Sequence, residues 1–288
     1  MTLTFTPVHD SIGARVSGLD LNRPLSDETL AELTDGWMRY KVLVLPDQNI
    51  TDEQHVAFAR RFGELEEHHQ KIIKDSSLPQ IFKVSNVDEN NQVRPPASDV
   101  MTQLLLTKMW HTDSSFREVP CMGSILRGLE VVSKGGQTCF TNMEAVLEAL
   151  PADLLAKIEG RRCRHDFAHL NRLGSKYVPT EEEKAAMPPI WQPMIRVHPV
   201  TGRKSLYISP IYNDAIEGMD DAEAKEVLDA LYEICSEPRF VYEHTWTQYD
   251  ILMWDNRCTM HRILPYDPAE RRVSHRTTIV GDGPVMAA

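Results

Sequence analysis

The residues with the most reactive potential stand in Trp110-His111-Thr112-Asp113. In an extended segment positions i and i+2 project to one face. His111 and Asp113 can therefore present an imidazole nitrogen and a carboxylate oxygen to one point. A third candidate is His261, in Trp254-Asp255-Asn256-Arg257-Cys258-Thr259-Met260-His261, where a preceding strand can deliver it beside the first two. Two imidazoles and one carboxylate make the facial triad of non-haem Fe(II) oxygenases, with three positions left for cosubstrate and O2. Zinc accepts the same donors. A lone His-x-Asp also occurs by chance, so at this point iron, zinc and no metal all stay open.

Arg272 and Arg276 lie eleven and fifteen residues beyond His261. If this stretch turns into a strand, positions four apart share a face. Two inward guanidiniums would favour bidentate capture of carboxylates; the alternative is a solvated pair bound to surface acids. His165 and His169 are spaced to share a helix face as zinc ligands do, but no acidic third ligand sits at a fixed spacing. Cys258 is read as a small buried hydrophobe.

These residues need elements to hold them. Helices are expected from an opening at Ser26-Asp27-Glu28 through about Tyr40, from the capping box Thr51/Gln54 to Phe62, over Asn142–Leu150 and Ala152–Glu159, after the capping box Thr180/Glu183, and over Ala222–Cys235. Strands are expected at Val42–Leu45, Ile81–Val84, Leu206–Ile208, Phe240–Trp246, Ile251–Trp254 and Arg276–Val280. Asn86–Asp99, polar with Pro95-Pro96, reads as a mobile loop. Strands interrupted by helical insertions point to a mainly β fold with flanking helices and a jelly-roll core, as one domain over residues 1–288.

Composition excludes several classes. With Lys+Arg 31 against Asp+Glu 42, the net charge of −11 speaks against a general nucleic-acid binder. No apolar run approaches the roughly 18 residues that span a bilayer, and Met1–Pro7 lacks the basic and apolar regions of a signal peptide. The five scattered cysteines, without a Cys-x-x-Cys pair, favour reduced thiols and a cytoplasmic location.

The sequence resembles the taurine dioxygenase / 2,4-dichlorophenoxyacetate dioxygenase family of Fe(II)- and 2-oxoglutarate-dependent oxygenases. The resemblance rests on Gly13–Leu21, Phe62-Gly63-Glu64-Leu65, Trp110–Phe116, Gly135-Gly136-Gln137-Thr138, Arg196-Val197-His198-Pro199 and Trp254-Asp255-Asn256-Arg257, in order along nearly the whole chain, with His261, Arg272 and Arg276 at the family's spacings. It implies a double-stranded β-helix, Fe(II), 2-oxoglutarate and O2, and a homo-oligomer. It implies that His111, Asp113 and His261 hold iron, and that Arg272 and Thr138 hold the distal carboxylate of 2-oxoglutarate. Arg276 matches the arginine that takes the substrate anion. Lys71, His68 and Tyr212 match positions near the primary substrate in one branch or the other. A carboxylate at Asp113 fits hydroxylation, since related halogenases place a small residue there.

The expected activity is hydroxylation of a C–H of a small anionic compound, with succinate and CO2 as co-products. An aryloxyalkanoate-type carboxylate is favoured; a taurine-like alkylsulfonate is the alternative. Where phenoxyacetate enzymes carry histidines, this chain reads Ser209-Pro210-Ile211-Tyr212-Asn213-Asp214. A zinc hydrolase with the same triad, or a non-catalytic jelly roll that binds a metal or an organic acid, are the competing classes. The paired arginines with Thr138 favour the oxygenase.

Overall fold

The alternation in Ile251-Leu252-Met253-Trp254 is the key to the architecture. Ile251 and Met253 face a core shared with Leu33 and Trp37 of the helix Asp27–Tyr40 and with Val56 and Phe58 of the helix Asp52–Ala59. Leu252 and Trp254 face the other way, onto Val42, Val44, Leu126 and Phe140. A strand buried on both faces must lie inside a layered structure. In this computed structural model, which describes residues 2–67 and 77–288, the strand Ile251–Asp255 occupies the middle of a seven-stranded sheet. The spatial order is Thr4–Pro7, Ala14–Ser17, Val42–Leu45, Ile251–Asp255, Gly123–Glu130, Val273–Ile279, Phe82–Ser85. All neighbours are antiparallel except Ala14–Ser17 against Val42–Leu45.

A smaller sheet of Val241–His244, Thr138–Asn142 and Thr259–Ile263, in that order, closes over the inner face. Phe140 and His261 are register partners, and both rings meet Trp254 across the sandwich, at 5.5 and 4.7 Å between centroids. Their neighbours Cys139 and Met260 point outward into a second core under the helices Met143–Glu148 and Asp221–Cys235. The period of two thus places one residue of Met260-His261 in a hydrophobic core and the other in the interior of the jelly roll.

Most expected elements form within one to three residues of their anticipated limits, and both capping boxes are present. Three places differ. The stretch between the expected loop Asn86–Asp99 and Trp110, where no element is expected, holds the helix Asp99–Leu104, capped by Ser98, and a 3-10 turn, Leu105–Lys108. Six residues are too short to show a helical period. His165 and His169 do not share a helix: His165 ends the strand Arg162–His165 and His169 opens the helix His169–Arg172. The Asp166 side chain accepts from Ala168 N at 2.9 Å and reverses the chain between them. Leu206–Ile208 is only partly a strand; the ladder with Ile195–Val197 stops at Leu206. Among the described residues no helix is long and apolar enough to cross a membrane.

Candidate active site

Two backbone bonds clip the His111 segment to the strand Thr259–Ile263. His111 N donates to His261 O at 2.9 Å, and His261 N donates to His111 O at 2.8 Å. The bridge brings the imidazoles to 4.1 Å between centroids. Asp113 follows in a turn where Ser114 takes a φ of 54°. The result is a buried cluster in which ligating atoms of His111, Asp113 and His261 lie within 4.8 Å of one another.

Protonation suits a cation here. His111 Nδ1 lies 3.0 Å from Met109 O. Donation to that carbonyl puts the proton on Nδ1 and leaves the Nε2 lone pair for a metal. Burial lowers the pKa of both imidazoles, and for His261 the neighbouring His111 lowers it further. Both are therefore neutral, as ligands must be. Burial opposes ionisation of Asp113, but Arg276 and the other polar groups around it together outweigh burial, and the carboxyl is held below its usual range. Arg276 Nη1 donates to Asp113 Oδ1 at 2.6 Å, and Ser124 Oγ donates to Oδ2 at 2.8 Å. His261 Nε2 stands 3.8 Å from that same Oδ2.

The support beneath the triad comes from the next motif. Asn256 Oδ1 accepts from Trp254 Nε1 at 2.9 Å, while Nδ2 donates to Ser124 Oγ at 3.1 Å. Thr112 Oγ1 donates to Asn256 O at 2.9 Å. Asn256 therefore ties together Thr112, Ser124 and Trp254, the residues that flank the cluster. Sequence reasoning gave it no role, although it sits inside the Trp254–Arg257 motif. Ser124, in a buried strand with no motif around it, offered no signal at all.

One cavity joins the cluster to two further cations and an apolar wall. Thr138, Arg272 and Arg276 line it together with His111, Asp113 and His261. Thr138 opens the strand Thr138–Asn142. The preceding Gly135 and Gly136 have φ of 79° and 67°, and a Cβ on Gly135 would collide with Pro265 O. That close approach explains the double glycine. Arg272 is 7% exposed, and among the described residues no carboxylate pairs with it; its guanidinium stands 5.8 Å from the Tyr266 ring centroid. Burial lowers its pKa. A buried cation without a counter-charge is unfavourable unless a ligand supplies one. Arg276 lies over the Phe82 ring at 4.7 Å. Tyr212 packs at 4.9 Å against Phe116, which in turn meets Phe167 at 4.9 Å. These three rings, with Leu170 and Ile211, form the apolar wall. Glu66, also unforeseen, lines the cavity and accepts from Ser114 Oγ at 3.1 Å. Lys71 and His68 lie outside the described residues.

The arrangement can hold a divalent cation with open positions and at least one dicarboxylate. A family model described as taurine catabolism dioxygenase TauD, TfdA family matches residues 4–278. The chain is 34% identical over 284 residues to an (S)-phenoxypropionate/alpha-ketoglutarate-dioxygenase of Sphingobium herbicidovorans, covering 96% of this chain and 94% of that one. It is 34% identical over 291 residues to an alpha-ketoglutarate-dependent 2,4-dichlorophenoxyacetate dioxygenase of Cupriavidus pinatubonensis, covering 99% and 100%. The crystal structure of AAD-2 in complex with Mn(II) and N-oxalylglycine matches with a TM-score of 0.90 and 36% identity over all of both chains.

Proposed function

The chain belongs to the TauD, TfdA family, and from that premise we propose that it hydroxylates a small aryloxyalkanoate-type carboxylate. It is a 2-oxoglutarate-dependent non-haem iron dioxygenase. The observation that carries the substrate proposal is the single cavity in which the cluster, two arginines and an aromatic wall meet. His111, Asp113 and His261 would hold Fe(II), which with 2-oxoglutarate and O2 supplies the oxidising power and releases succinate and CO2. The fit rests on the neutral imidazoles, the ionised carboxylate and the Met109 carbonyl behind His111.

Arg272 would pair with the distal carboxylate of 2-oxoglutarate, and Thr138 would add a hydrogen bond to it. The uncompensated charge of Arg272 supports this. Arg276 would take the substrate carboxylate, exchanging part of its bond to Asp113 for it. Tyr212, with Phe116 and Phe167, would cover the aryl group and exclude water. That wall favours an aromatic acid over a short alkylsulfonate. Lys71 and His68 stay in the proposal as substrate residues on the strength of the sequence alone. The five cysteines are all free and buried, which supports a cytoplasmic enzyme.

The test is anaerobic addition of Fe(II) and 2-oxoglutarate, followed by a substrate panel. A weak visible charge-transfer band that H111A abolishes is expected. Succinate formation coupled to phenol release from aryloxyalkanoates should exceed that with alkylsulfonates. A correctly loaded protein without the band refutes the iron assignment; preference for sulfonates refutes the substrate.

A further inference from the structure

Trp246 Nε1 donates a hydrogen bond to Thr138 Oγ1 at 3.0 Å. An indole nitrogen is a donor only, so the direction of this bond is fixed by chemistry. The Thr138 hydroxyl therefore spends acceptor capacity on Trp246 and keeps its own proton. Among the described residues no protein acceptor takes that proton, because the Trp246 contact is the sole bond of this side chain. Thr138 is 4% exposed and lines the cavity beside Arg272. A buried hydroxyl proton with no protein acceptor, beside a cavity that holds an uncompensated guanidinium, is set to meet an anion.

The indole is held in place from several sides. His244, the register partner of Thr138, packs edge-on against it at 5.0 Å and 87°. His244 is itself fixed, with Nδ1 3.0 Å from Tyr242 Oη and Nε2 3.2 Å from Asp250 Oδ2. Gly128 supplies the space: a Cβ there would stand 2.9 Å from Trp246 Cε3.

We propose that Trp246 is a positioning residue for 2-oxoglutarate: its N–H locks the Thr138 hydroxyl as a donor toward the distal carboxylate that Arg272 pairs with. Without that bond the hydroxyl can rotate and offer lone pairs to the carboxylate instead of its proton. The inference rests on the dioxygenase function proposed above.

The test is a double-mutant cycle on ligand affinity, measured by calorimetry on the Mn(II)-loaded protein without O2. W246F should weaken 2-oxoglutarate binding about three- to tenfold, the scale of one neutral hydrogen bond. T138V should weaken it at least as much, and W246F should add nothing in the T138V background. Binding of 2-oxopentanoate, which lacks the distal carboxylate, should be the same for W246F as for the natural protein. Additive losses in the cycle, an equal loss for 2-oxopentanoate, or unchanged affinity of W246F would overturn the proposal. If W246F fails to fold, G128A displaces the indole and is measured in the same cycle. Failure of the natural protein to bind 2-oxoglutarate would instead remove the dioxygenase function itself, so the two failures are distinguishable.

Discussion

Replacing Arg272 with methionine should move folding and ligand binding in opposite directions. Methionine keeps most of the side-chain length and removes the charge. In the ligand-free protein the guanidinium is buried, and among the described residues no carboxylate compensates it. Its backbone ties, Asn86 Oδ1 accepting from Arg272 N at 2.7 Å and Arg272 O accepting from Asn86 N at 3.1 Å, do not need the side chain. Exchange of a buried charge for an apolar group of similar size is neutral or stabilising, so the melting temperature of R272M should equal or exceed that of the natural protein. With 2-oxoglutarate the order reverses. At a hundred times Kd the ligand stabilises the natural protein by about 2.7 kcal/mol. For a chain of 288 residues, with an unfolding entropy of about 2.1 cal/mol/K per residue, that is a rise of about 4 °C. Loss of a buried charge pair costs about 3 kcal/mol or more, so R272M should bind more than a hundredfold weaker and show almost no rise at the same concentration. Thermal unfolding of the Mn(II)-loaded protein without O2, with and without 2-oxoglutarate, measures both effects. A ligand-free R272M that melts 5 °C lower would show that the guanidinium supports the fold, and a full ligand-induced rise would show that the carboxylate binds elsewhere.

Three further outcomes are expected. N256A removes the side-chain amide that holds Ser124 and Trp254 and accepts from Asp113 N at 3.4 Å beneath the cluster, and should weaken Mn(II) or Fe(II) binding about 10- to 100-fold, as losses behind metal ligands do; a competition titration with a chelator measures it. Y212L removes one ring of the aromatic wall, and should raise KM for an aryloxyalkanoate about two- to tenfold while the affinity for 2-oxoglutarate stays constant. Burial pushes His55 and His165 down to about 3, with Arg127 also lowering His55. Unfolded histidine titrates near about 6.5, so the unfolded state takes up protons that the folded state refuses. Stability is full above that value and falls as pH drops from it toward 3, by about 1.4 kcal/mol per pH unit for each histidine. Urea unfolding at pH 7, 6 and 5 should show a smaller slope for H55Q; an unchanged slope would mean that His55 is protonated in the native protein.

Local chemistry makes much of the molecule legible in its sequence. The capping boxes at Thr51 and Thr180, the amphipathic helix ending at Cys235 and the buried strand Ile251–Asp255 each carry their signal within a dozen residues. His111 and Asp113 are legible because an i, i+2 spacing is itself a geometric statement. His261 and Arg272 are only candidates until the resemblance gives them roles, and Thr138 emerges through resemblance alone, since no local pattern says that a histidine 150 positions away will share a backbone bridge with His111. The helix Asp99–Leu104 and the separation of His165 from His169 escape a sequence reading because short segments take their conformation from what they pack against and from side-chain bonds such as that of Asp166.

What the sequence determined by itself was the inventory: a ligand set, two arginines, a Gly-Gly-x-Thr turn and an alternation that demands two facing sheets. Only the tertiary structure decided which of them share a cavity, that Asn256 and Ser124 stand behind the cluster, that Arg276 rests on Asp113, and that Arg272 lacks a carboxylate partner among the described residues. The physical reason is that hydrogen-bond direction and charge compensation are properties of pairs. The members of these pairs, Trp246 with Thr138 and Ser124 with Asn256, lie more than a hundred residues apart in the chain and meet only when the sheets close.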